Sequence, residues 1–493
     1  MKIGFDNDKY LALQTAKIME RVESFGGKLY LEFGGKLFDD YHASRVLPGF
    51  QPDSKMRMLL NIREQAEIVI AIGAEYIEKN TRRGDLGITY DLEVLRLIDT
   101  FREIGLYVGS VVLTQYRGQR LADAFQRKLE ALGIKVYRHY RIENYPSDVA
   151  LIVSEDGFGR NEYIETSRPV VVVTAPGPGS GKMAVCLSQL YQDHERGVEA
   201  GYAKFETFPI WNLPLKHPVN LAYEAATADL SDVNMIDPYH LEAYGETTVN
   251  YNRDIEIFPV LDAIFRKIYG ECRYKSPTDM GVNMVGNAIV DDDVCREASC
   301  QEIIRRYFTA RCNVRQGSSD NSEVQKLEVL MKSLDLVPEQ RPCVSPAMEI
   351  ANKTDKPAAA IELPDGHIVT GKTTDLMGSS SAALLNALKY LAGIHDCIKL
   401  ITPAVIEPIQ NLKVSHLGCR NPLLHIDEVL IALSICAVSN PTAELALQQL
   451  DKLRGSQVHS SVILSRVDED VFKRLGIQIT MEPAYEVARL YHK

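Results

Sequence analysis

The chain has 493 residues, of which 45% are hydrophobic and 25% charged, and its 55 basic and 66 acidic residues give a formal net charge of −11. This length exceeds what a single hydrophobic core holds and predicts two to four domains, while the composition is ordinary for a soluble globular protein. An acidic chain without a dense run of Lys and Arg disfavours nucleic-acid binding.

Several features predict a cytoplasmic protein that does not bind membranes. The N-terminus carries acidic residues and lacks the apolar core of a secretory signal. The longest apolar run near the C-terminus, Val429 to Val438, falls short of the roughly 20 residues that span a bilayer. Nine cysteines, an odd number without close pairs, fit reduced thiols.

Residues 1–212 alternate strand and helix patterns. Helical patterns at Tyr90–Glu103 and Arg120–Leu132 lie between apolar, strand-like runs. The predicted strands are Lys28–Phe33, Glu67–Ile72, Tyr107–Leu113, Lys135–Tyr140, Val149–Val153 and Val170–Thr174. This alternation predicts an α/β domain with a mostly parallel sheet and helices on both faces.

Two further domains are predicted after a proline-rich linker. Residues 213–352 are mainly helical, with helices at Val219–Leu230, Asp254–Tyr269, Asp292–Cys312 and Ser322–Leu334. Residues 353–493 return to α/β, with strands at Ala358–Leu363, His367–Thr370, Ile398–Thr402, Ser461–Leu464 and Ile477–Thr480 and helices at Ser380–Leu391, Asp427–Val438 and Thr442–Leu453. Asn440 is predicted to cap the last of these helices, before Pro441.

The segment Pro169–Met183 carries the clearest functional signal. The apolar run Val170–Thr174 leads into a glycine-rich loop that ends in Gly181 and Lys182, and a helical pattern follows. A strand, a glycine loop and a helix N-terminus together resemble the P-loop and Rossmann arrangements that hold a phosphate with backbone amides, and a lysine adds positive charge. The segment predicts a phosphorylated ligand.

The match to the nucleotide-binding P-loop is incomplete. Pro176 replaces the first glycine of the consensus, and Met183 replaces the hydroxyl residue that ligates Mg²⁺. What remains is an anion cradle, formed by Gly177, Gly179, Ser180, Gly181 and Lys182. The alternative is a tight strand-to-helix turn whose glycines serve packing and whose lysine is solvated.

Other strand exits extend this candidate site, because ligands collect beyond the carboxyl ends of parallel strands. Gly35 and Lys36 follow the first strong strand, and His42 and Arg45 come shortly after. An imidazole and a guanidinium there are suited to acid–base chemistry and to clamping an anion. A solvated helix or loop is the alternative.

Two clusters in the last domain give weaker signals. Gly378, Ser379, Ser380 and Ser381 open a predicted helix, where a serine is favoured as a simple N-terminal cap, although nearby Lys372 keeps an anion site open. His416, Cys419 and His425 are zinc-binding residue types, but the second close pair of a structural zinc site is missing, and no metal site is predicted.

The segments Leu29–Phe50, Thr174–Ala184 and Val462–Asp468 resemble a bacterial family known as domain of unknown function 1846, and the resemblance covers the whole chain. It implies a cytosolic bacterial protein of about this length, with an α/β N-terminal region followed by helical and α/β regions. It brings no established activity and no catalytic residues. Some relatives are labelled ATP-dependent peptidases.

The leading hypothesis is a cytosolic protein that binds a nucleotide or another phosphorylated metabolite at the N-terminal crevice, as a transferase or a ligase if it is an enzyme. The competing hypothesis is a non-catalytic regulatory or structural protein whose glycine loop is only a tight turn. An ATP-dependent peptidase is the least supported, because the sequence shows no nucleophile–base arrangement and Met183 weakens the ATP site. The substrate, the reaction and homo-oligomer formation stay open.

Overall fold

The computed structural model describes residues 2–34, 40–83, 87–230 and 232–486. It divides into two compact units, Lys2–Ser299 and Cys300–Lys493. The predicted division into three domains, 1–212, 213–352 and 353–493, is not tested by these two units and stays a prediction. Within the described ranges, no helix is long and apolar enough to cross a bilayer.

The first unit contains nine described strands. They are β1 Leu29–Phe33, β2 Ala66–Gly73, β3 Tyr107–Tyr116, β4 Lys135–Tyr140, β5 Val170–Thr174, β6 Gly201–Phe205, β7 Asn234–Ile236, β8 Val249–Tyr251 and β9 Gly281–Val282. Its helices are α1 Asn7–Ser24, α2 Tyr41–Val46, α3 Ser54–Asn61, α4 Ala74–Glu78, α5 Tyr90–Glu103, α6 Arg120–Ala131, α7 Val149–Ile152, α8 Lys182–Glu195, α9 Pro218–Ala226, α10 Pro238–Tyr244, α11 Asn252–Tyr269 and α12 Pro277–Met280. Short 3₁₀ turns occur at Phe158–Arg160, Ala228–Leu230 and Val285–Ala288.

Seven of these strands form one sheet in the order β4-β3-β2-β5-β1-β6-β9, and all neighbouring pairs are parallel. The central strands β1, β2 and β5 are buried along their whole length. Parallel strands covered by helices on both faces favour nearly continuous apolar runs, which explains the unbroken valines at 170–173. The α/β class and the parallel sheet are therefore confirmed.

The connections of this sheet run in two directions. The chain moves from β1 to β2, β3 and β4 towards one edge, whereas from β5 it moves to β6 and β9 towards the other. Right-handed crossovers then place the helices that follow β2 and β5 on opposite faces of the sheet. Because β2 and β5 are neighbours, a crevice is expected at their carboxyl ends, where ligands bind in such folds.

The second unit begins within α13 Asp292–Gln316. Its other helices are α14 Ser322–Ser333, α15 Val344–Thr354, α16 Ser379–Leu391, α17 Pro403–Asn411, α18 Ile426–Ala437, α19 Pro441–Leu447 and α20 Arg466–Arg474. A π-helical turn occurs at Leu412–His416, and 3₁₀ turns at Pro338–Gln340 and Leu450–Leu453. Its strands are β10 Ala358–Glu362, β11 Ile368–Lys372, β12 Gln457–Ser460 and β13 Gln478–Met481.

These four strands form a mixed sheet in the order β11-β10-β12-β13, in which only β12 and β13 are parallel. Alternate residues of β10 point to opposite faces. Ala359 and Ile361 join the main core with α16, α18 and α20, whereas Ala360 packs with Ala347 of α15 on the other face. All four strands lie within residues 353–493, which were predicted to be α/β.

Three predicted strands were wrong. Val149–Val153 contains the short helix α7, because the Asp148 side chain accepts a hydrogen bond from the Leu151 amide at 3.0 Å and caps a helical turn. Residues 398–402 form bends and irregular backbone before α17, and Leu400 and Ile401 are apolar because they enter the core of the second unit. The third wrong prediction is the strand at Ser461–Leu464, because the strand in this part of the chain, β12, ends just before it at Ser460.

The helices predicted for 213–352 are confirmed to within a few residues, except that the first ends at Ala226. The region also contributes the short strands β7, β8 and β9, which the sequence did not indicate. Asn440 caps α19 as predicted, because its side chain accepts hydrogen bonds from the amides of Thr442 and Ala443.

Candidate functional site

The glycine loop connects β5 to α8 over residues 175–181, and its glycines are required by the backbone. Gly179 and Gly181 have φ angles of +72° and +81°, which other residues adopt only with strain. Gly177 has an ordinary φ, but a Cβ there would lie 2.3 Å from the Tyr90 hydroxyl, and one at Gly179 would lie 2.4 Å from the Tyr76 hydroxyl. Close packing therefore accounts for these glycines without a ligand.

One side of the loop is closed. Ser180 is fully buried, its hydroxyl donates a hydrogen bond to the Gly177 carbonyl at 2.9 Å, and its own carbonyl accepts one from the Thr114 hydroxyl at 2.8 Å. The Ser180 side chain thus holds the turn together. Its predicted contact with a phosphate remains a prediction.

The other side of the loop is open. Pro178 and Gly179 are exposed, and the first hydrogen bond of α8 runs from the Val185 amide to the Gly181 carbonyl at 3.0 Å. The amides of Lys182, Met183 and Ala184 precede that bond, and none of the described side chains caps this helix end. A 14-residue helix thus presents its positive end beside the half-buried Lys182.

A cavity of about 310 Å³ adjoins this helix end. Gly181 and Ala184 form one wall, and residues at the ends of β3 and β4, including Gln115 and Arg141, form the other. Gln115 has a φ of +54° and lies where the pairing of β3 with β4 shifts register. Bulges and strained backbone of this kind are common next to binding sites.

A partly buried charged cluster, in which only Glu206 is buried, lies at the same edge of the sheet, at the end of β6. Lys204 Nζ is 3.0 Å from Glu206 Oε1 and 2.5 Å from Asp254 Oδ2. Burial raises the pKa of Glu206 to about 7, while Lys204 opposes this rise and Asp254 adds to it. Burial alone would lower the pKa of Lys204, but the two carboxylates raise it overall.

Trp211 lies beside the Glu206 carboxyl, and a hydrogen bond from its side chain opposes the rise in the pKa of Glu206. Both approach Gly281, where an added Cβ would lie 2.6 Å from the Trp211 ring and 3.2 Å from Glu206 Oε2. A carboxyl with a pKa near neutrality is suited to proton transfer.

The glycine loop and the charged cluster belong to one edge of the sheet. β5 and β6 are separated only by β1, which corresponds to about 10 Å between strand axes. Burial raises the pKa of the Cys186 thiol, Glu32 of β1 adds to this effect and Lys182 opposes it. Lys182 and Glu32 therefore lie within electrostatic range of the same thiol, between the two features.

The other residues predicted near the phosphate site are Gly35, Lys36, His42 and Arg45. Gly35 and Lys36 lie outside the described residues. Arg45 is half-buried on α2, which packs against α9, and its contact with an anion stays a prediction. His42 is half-buried, with its ring 5.2 Å from that of Phe208.

In the second unit, the expectation that a serine caps α16 was wrong. The N-cap is Gly378, without a side-chain cap, and the three serines are the first helical residues. His416 and Cys419 are exposed, whereas His425 contacts Asp468 at 3.1 Å. Within the described ranges, no group of three or more His, Cys, Asp or Glu residues is arranged to hold a metal ion.

Comparison with known proteins identifies the family. A family model described as "Domain of unknown function DUF1846, N-terminal" matches residues 3–335, and its C-terminal counterpart matches residues 339–491. The chain belongs to the DUF1846 family. This confirms the resemblance noted in the sequence.

The chain is also similar over its whole length to proteins named "UPF0371 protein". Those of Streptococcus sanguinis, Streptococcus thermophilus and Streptococcus pneumoniae are 58%, 57% and 56% identical over 492 residues, which cover 100% of this chain and 100% of each relative. These names assign no activity. Membership of the DUF1846 family therefore places the chain in a bacterial group of proteins.

Sequence reasoning missed the charged cluster because it missed β6. The strand Gly201–Phe205 has only five residues, begins with glycine and contains a lysine, so it lacks the apolar run of the other strands. The available signal was Lys204-Phe205-Glu206, a pair of opposite charges around an aromatic residue. Asp254 comes from α11, about 50 residues later, and its contact depends on the fold.

Proposed function

We propose that the first unit binds a nucleotide or another phosphorylated small molecule at the carboxyl edge of its parallel sheet, with a phosphate at the N-terminus of α8. The observation that carries this proposal is the uncapped end of α8 beside Lys182, open to the cavity at Gly181. Free amides at a helix N-terminus hold phosphate through hydrogen bonds and the helix dipole.

The ligand is compact and is bound without an obligatory Mg²⁺. The cavity of about 310 Å³ is at the lower end of the range for small-molecule sites, which favours a small phosphorylated metabolite. Met183 occupies the position where a P-loop nucleotide enzyme has its Mg²⁺-ligating hydroxyl. Lys182 and the amides of α8 neutralise the phosphate charge.

If the protein is a transferase or a ligase, Glu206 is the group we assign to proton transfer. It lies at the same edge of the sheet as the glycine loop, and its pKa of about 7 lets it release and accept a proton near neutral pH. Lys204 keeps its charge and orients the carboxyl from 3.0 Å.

The cytoplasm is the proposed location. All nine cysteines are free thiols in the structure, as expected for a reducing compartment. The net charge of −11 supports a small-molecule partner over nucleic acid.

The competing function is a non-catalytic regulatory or structural role in which the loop is only a tight turn. The tyrosine hydroxyls packed against Gly177 and Gly179 and the closed side at Ser180 support it. On this alternative, the protein binds no phosphorylated ligand at α8.

Calorimetric titration of the full chain separates the two functions. The ligands are inorganic phosphate, ATP, ADP and ribose 5-phosphate, each with and without Mg²⁺, and the variants are Lys182→Ala and Lys182→Glu. Lys128→Ala, at an exposed position on α6, is the control. We expect binding by the wild type and by the control that does not require Mg²⁺, and about tenfold or greater weakening in Lys182→Ala because a charge-assisted hydrogen bond is lost.

Loss of binding should be complete in Lys182→Glu, which places a negative charge at the helix end. Failure of every ligand to bind the wild type, or equal binding by wild type and both Lys182 variants, would refute the proposal and leave the structural role.

A further inference from the structure

The second unit contains a cavity of about 740 Å³ that is separate from the glycine loop. The beginning of α16 forms one side, and the segments that lead into α18 and α20 form the others. Ser379, Ser380, His425 and Arg466 supply polar groups, and Leu464 and Tyr485 are among the apolar lining residues. The N-termini of three helices therefore meet at one cavity.

Two of these helix ends are satisfied by the protein itself. At α18, the Ile426 amide donates to Asp468 Oδ1 at 2.8 Å. At α20, the Asp468 amide donates to the Ser465 hydroxyl at 3.1 Å. Asp468 also contacts His425, so its carboxylate is engaged within this network and is not a free charge facing a ligand.

The third helix end is not satisfied. The first helical hydrogen bond of α16 runs from the Ala382 amide to the Gly378 carbonyl at 3.1 Å, so the amides of Ser379, Ser380 and Ser381 precede it. Gly378 has no side chain to cap them, and no other described side chain does so. This helix has 13 residues, which gives its N-terminus a developed positive dipole.

Ser380 provides independent support for a ligand. It is 4% exposed and lines the cavity, and its hydroxyl has no hydrogen-bond partner among the described residues. The neighbouring Ser381 hydroxyl, by contrast, donates to the Leu424 carbonyl at 3.1 Å. A buried hydroxyl without a partner destabilises the folded state, and a ligand that accepts its hydrogen bond removes this cost.

We propose that this cavity binds a small organic anion, with a phosphate or carboxylate head group at the start of α16 and an apolar body against Leu464 and Tyr485. The amides of Ser379–Ser381 and the Ser380 hydroxyl supply hydrogen bonds to the head group. The exposed lining residue Arg466 adds positive charge, and the acidic lining residues are Glu486 and the engaged Asp468. The site lies in the other unit from Lys182 and is independent of the proposed function.

Titration of the full chain with phenyl phosphate and with benzoate tests the site and distinguishes the two head groups. The variants are Ser380→Ala, Ser380→Asp and Arg466→Ala. Arg474→Ala, at the opposite end of α20, is the matched control, and Lys182→Ala reports on the site in the first unit.

We expect about tenfold weaker binding in Ser380→Ala, because a hydrogen bond to a charged group is lost. We expect no measurable binding in Ser380→Asp, whose carboxylate occupies the helix end, and about threefold weaker binding in Arg466→Ala. Arg474→Ala and Lys182→Ala should retain wild-type affinity at this site. The Ser380→Ala protein should be at least as stable as the wild type without ligand, because it loses an unpaired buried hydroxyl.

Binding of neither probe would overturn the proposal. Binding that Ser380→Ala and Arg466→Ala leave unchanged would do the same, and so would binding that Lys182→Ala alone abolishes. If Ser380→Asp does not fold, the other two variants and the stability of Ser380→Ala decide the question.

Discussion

Replacing Glu206 with glutamine should change how the stability of the first unit depends on pH. Glu206 is 7% exposed, and burial raises its pKa to about 7 from an ordinary 4.5. Between these two pH values the folded protein keeps a proton that the unfolded chain has released. The free energy of unfolding therefore falls as pH rises through this window. Glutamine has no proton to lose, so the variant lacks this decline.

The magnitude follows from the two pKa values. Each pH unit between 4.5 and about 7 corresponds to about 1.4 kcal/mol. Between pH 5 and pH 8 the difference in free energy of unfolding, variant minus wild type, should therefore rise by about 2.5 kcal/mol. Lys204 keeps its ion pair with Asp254 in the variant, so the rest of the cluster stays paired.

Urea denaturation at pH 5, 6, 7 and 8 measures this difference. Trp211 is the only tryptophan of the chain and lies beside Glu206 across Gly281, so its fluorescence follows the unfolding of this unit. Glu242→Gln, at an exposed position on α10, is the control and should follow the wild type at every pH. A Glu206→Gln effect that is the same at all four pH values, or that reverses sign, would refute the reasoning about burial.

Two further predictions concern buried polar groups. Asp193 is fully buried and pairs with Lys28 at 2.8 Å, so Asp193→Ala should lower the free energy of unfolding by about 3–5 kcal/mol and Asp193→Asn by less. Urea denaturation checks both, and a loss below about 1 kcal/mol in Asp193→Ala would contradict the ion pair. In the second unit, the hydrogen bond to Asp468 raises the pKa of His425 above 6.5. The stability that this pair provides is present below pH 6.5 and is lost as pH rises through the raised pKa. The advantage of the wild type over His425→Gln should therefore shrink from pH 6 to pH 8, and an advantage that grows with pH would contradict the assignment.

The sequence predicted those parts of the fold that depend on local patterns. The valine run of β5 and the amphipathic helices around it were recognisable because buried parallel strands and helices have distinct periods. The strands β6 and β9 were missed because they are short and pair with strands far away in the chain. The strands β7 and β8 pair with each other, but each has only three residues. At Ile398–Thr402 a strand was predicted where none exists. The apolar residues Leu400 and Ile401 pack into the core of the second unit without pairing in a sheet.

The candidate site was predicted in part. The loop at 177–182 was identified from glycine spacing, but the sequence could not show that two tyrosine hydroxyls pack against it or that Ser180 faces inward. The carboxyl of Glu206 owes its raised pKa to burial, which no local pattern reveals. One of the serines at 379–381 was expected to be an ordinary cap, and only the position of Gly378 shows otherwise.

The position of β1 in the sheet has a consequence for how the chain is made. Both of its sheet neighbours, β5 and β6, lie beyond residue 169, so β1 has no partner strand when β2, β3 and β4 leave the ribosome. At about 5–20 residues per second, several seconds pass before β5 is synthesised and inserts between β1 and β2. During that interval both edges of β1 and the β5-facing edge of β2 are unprotected, and fragments that stop before residue 170 should aggregate or be retained by chaperones.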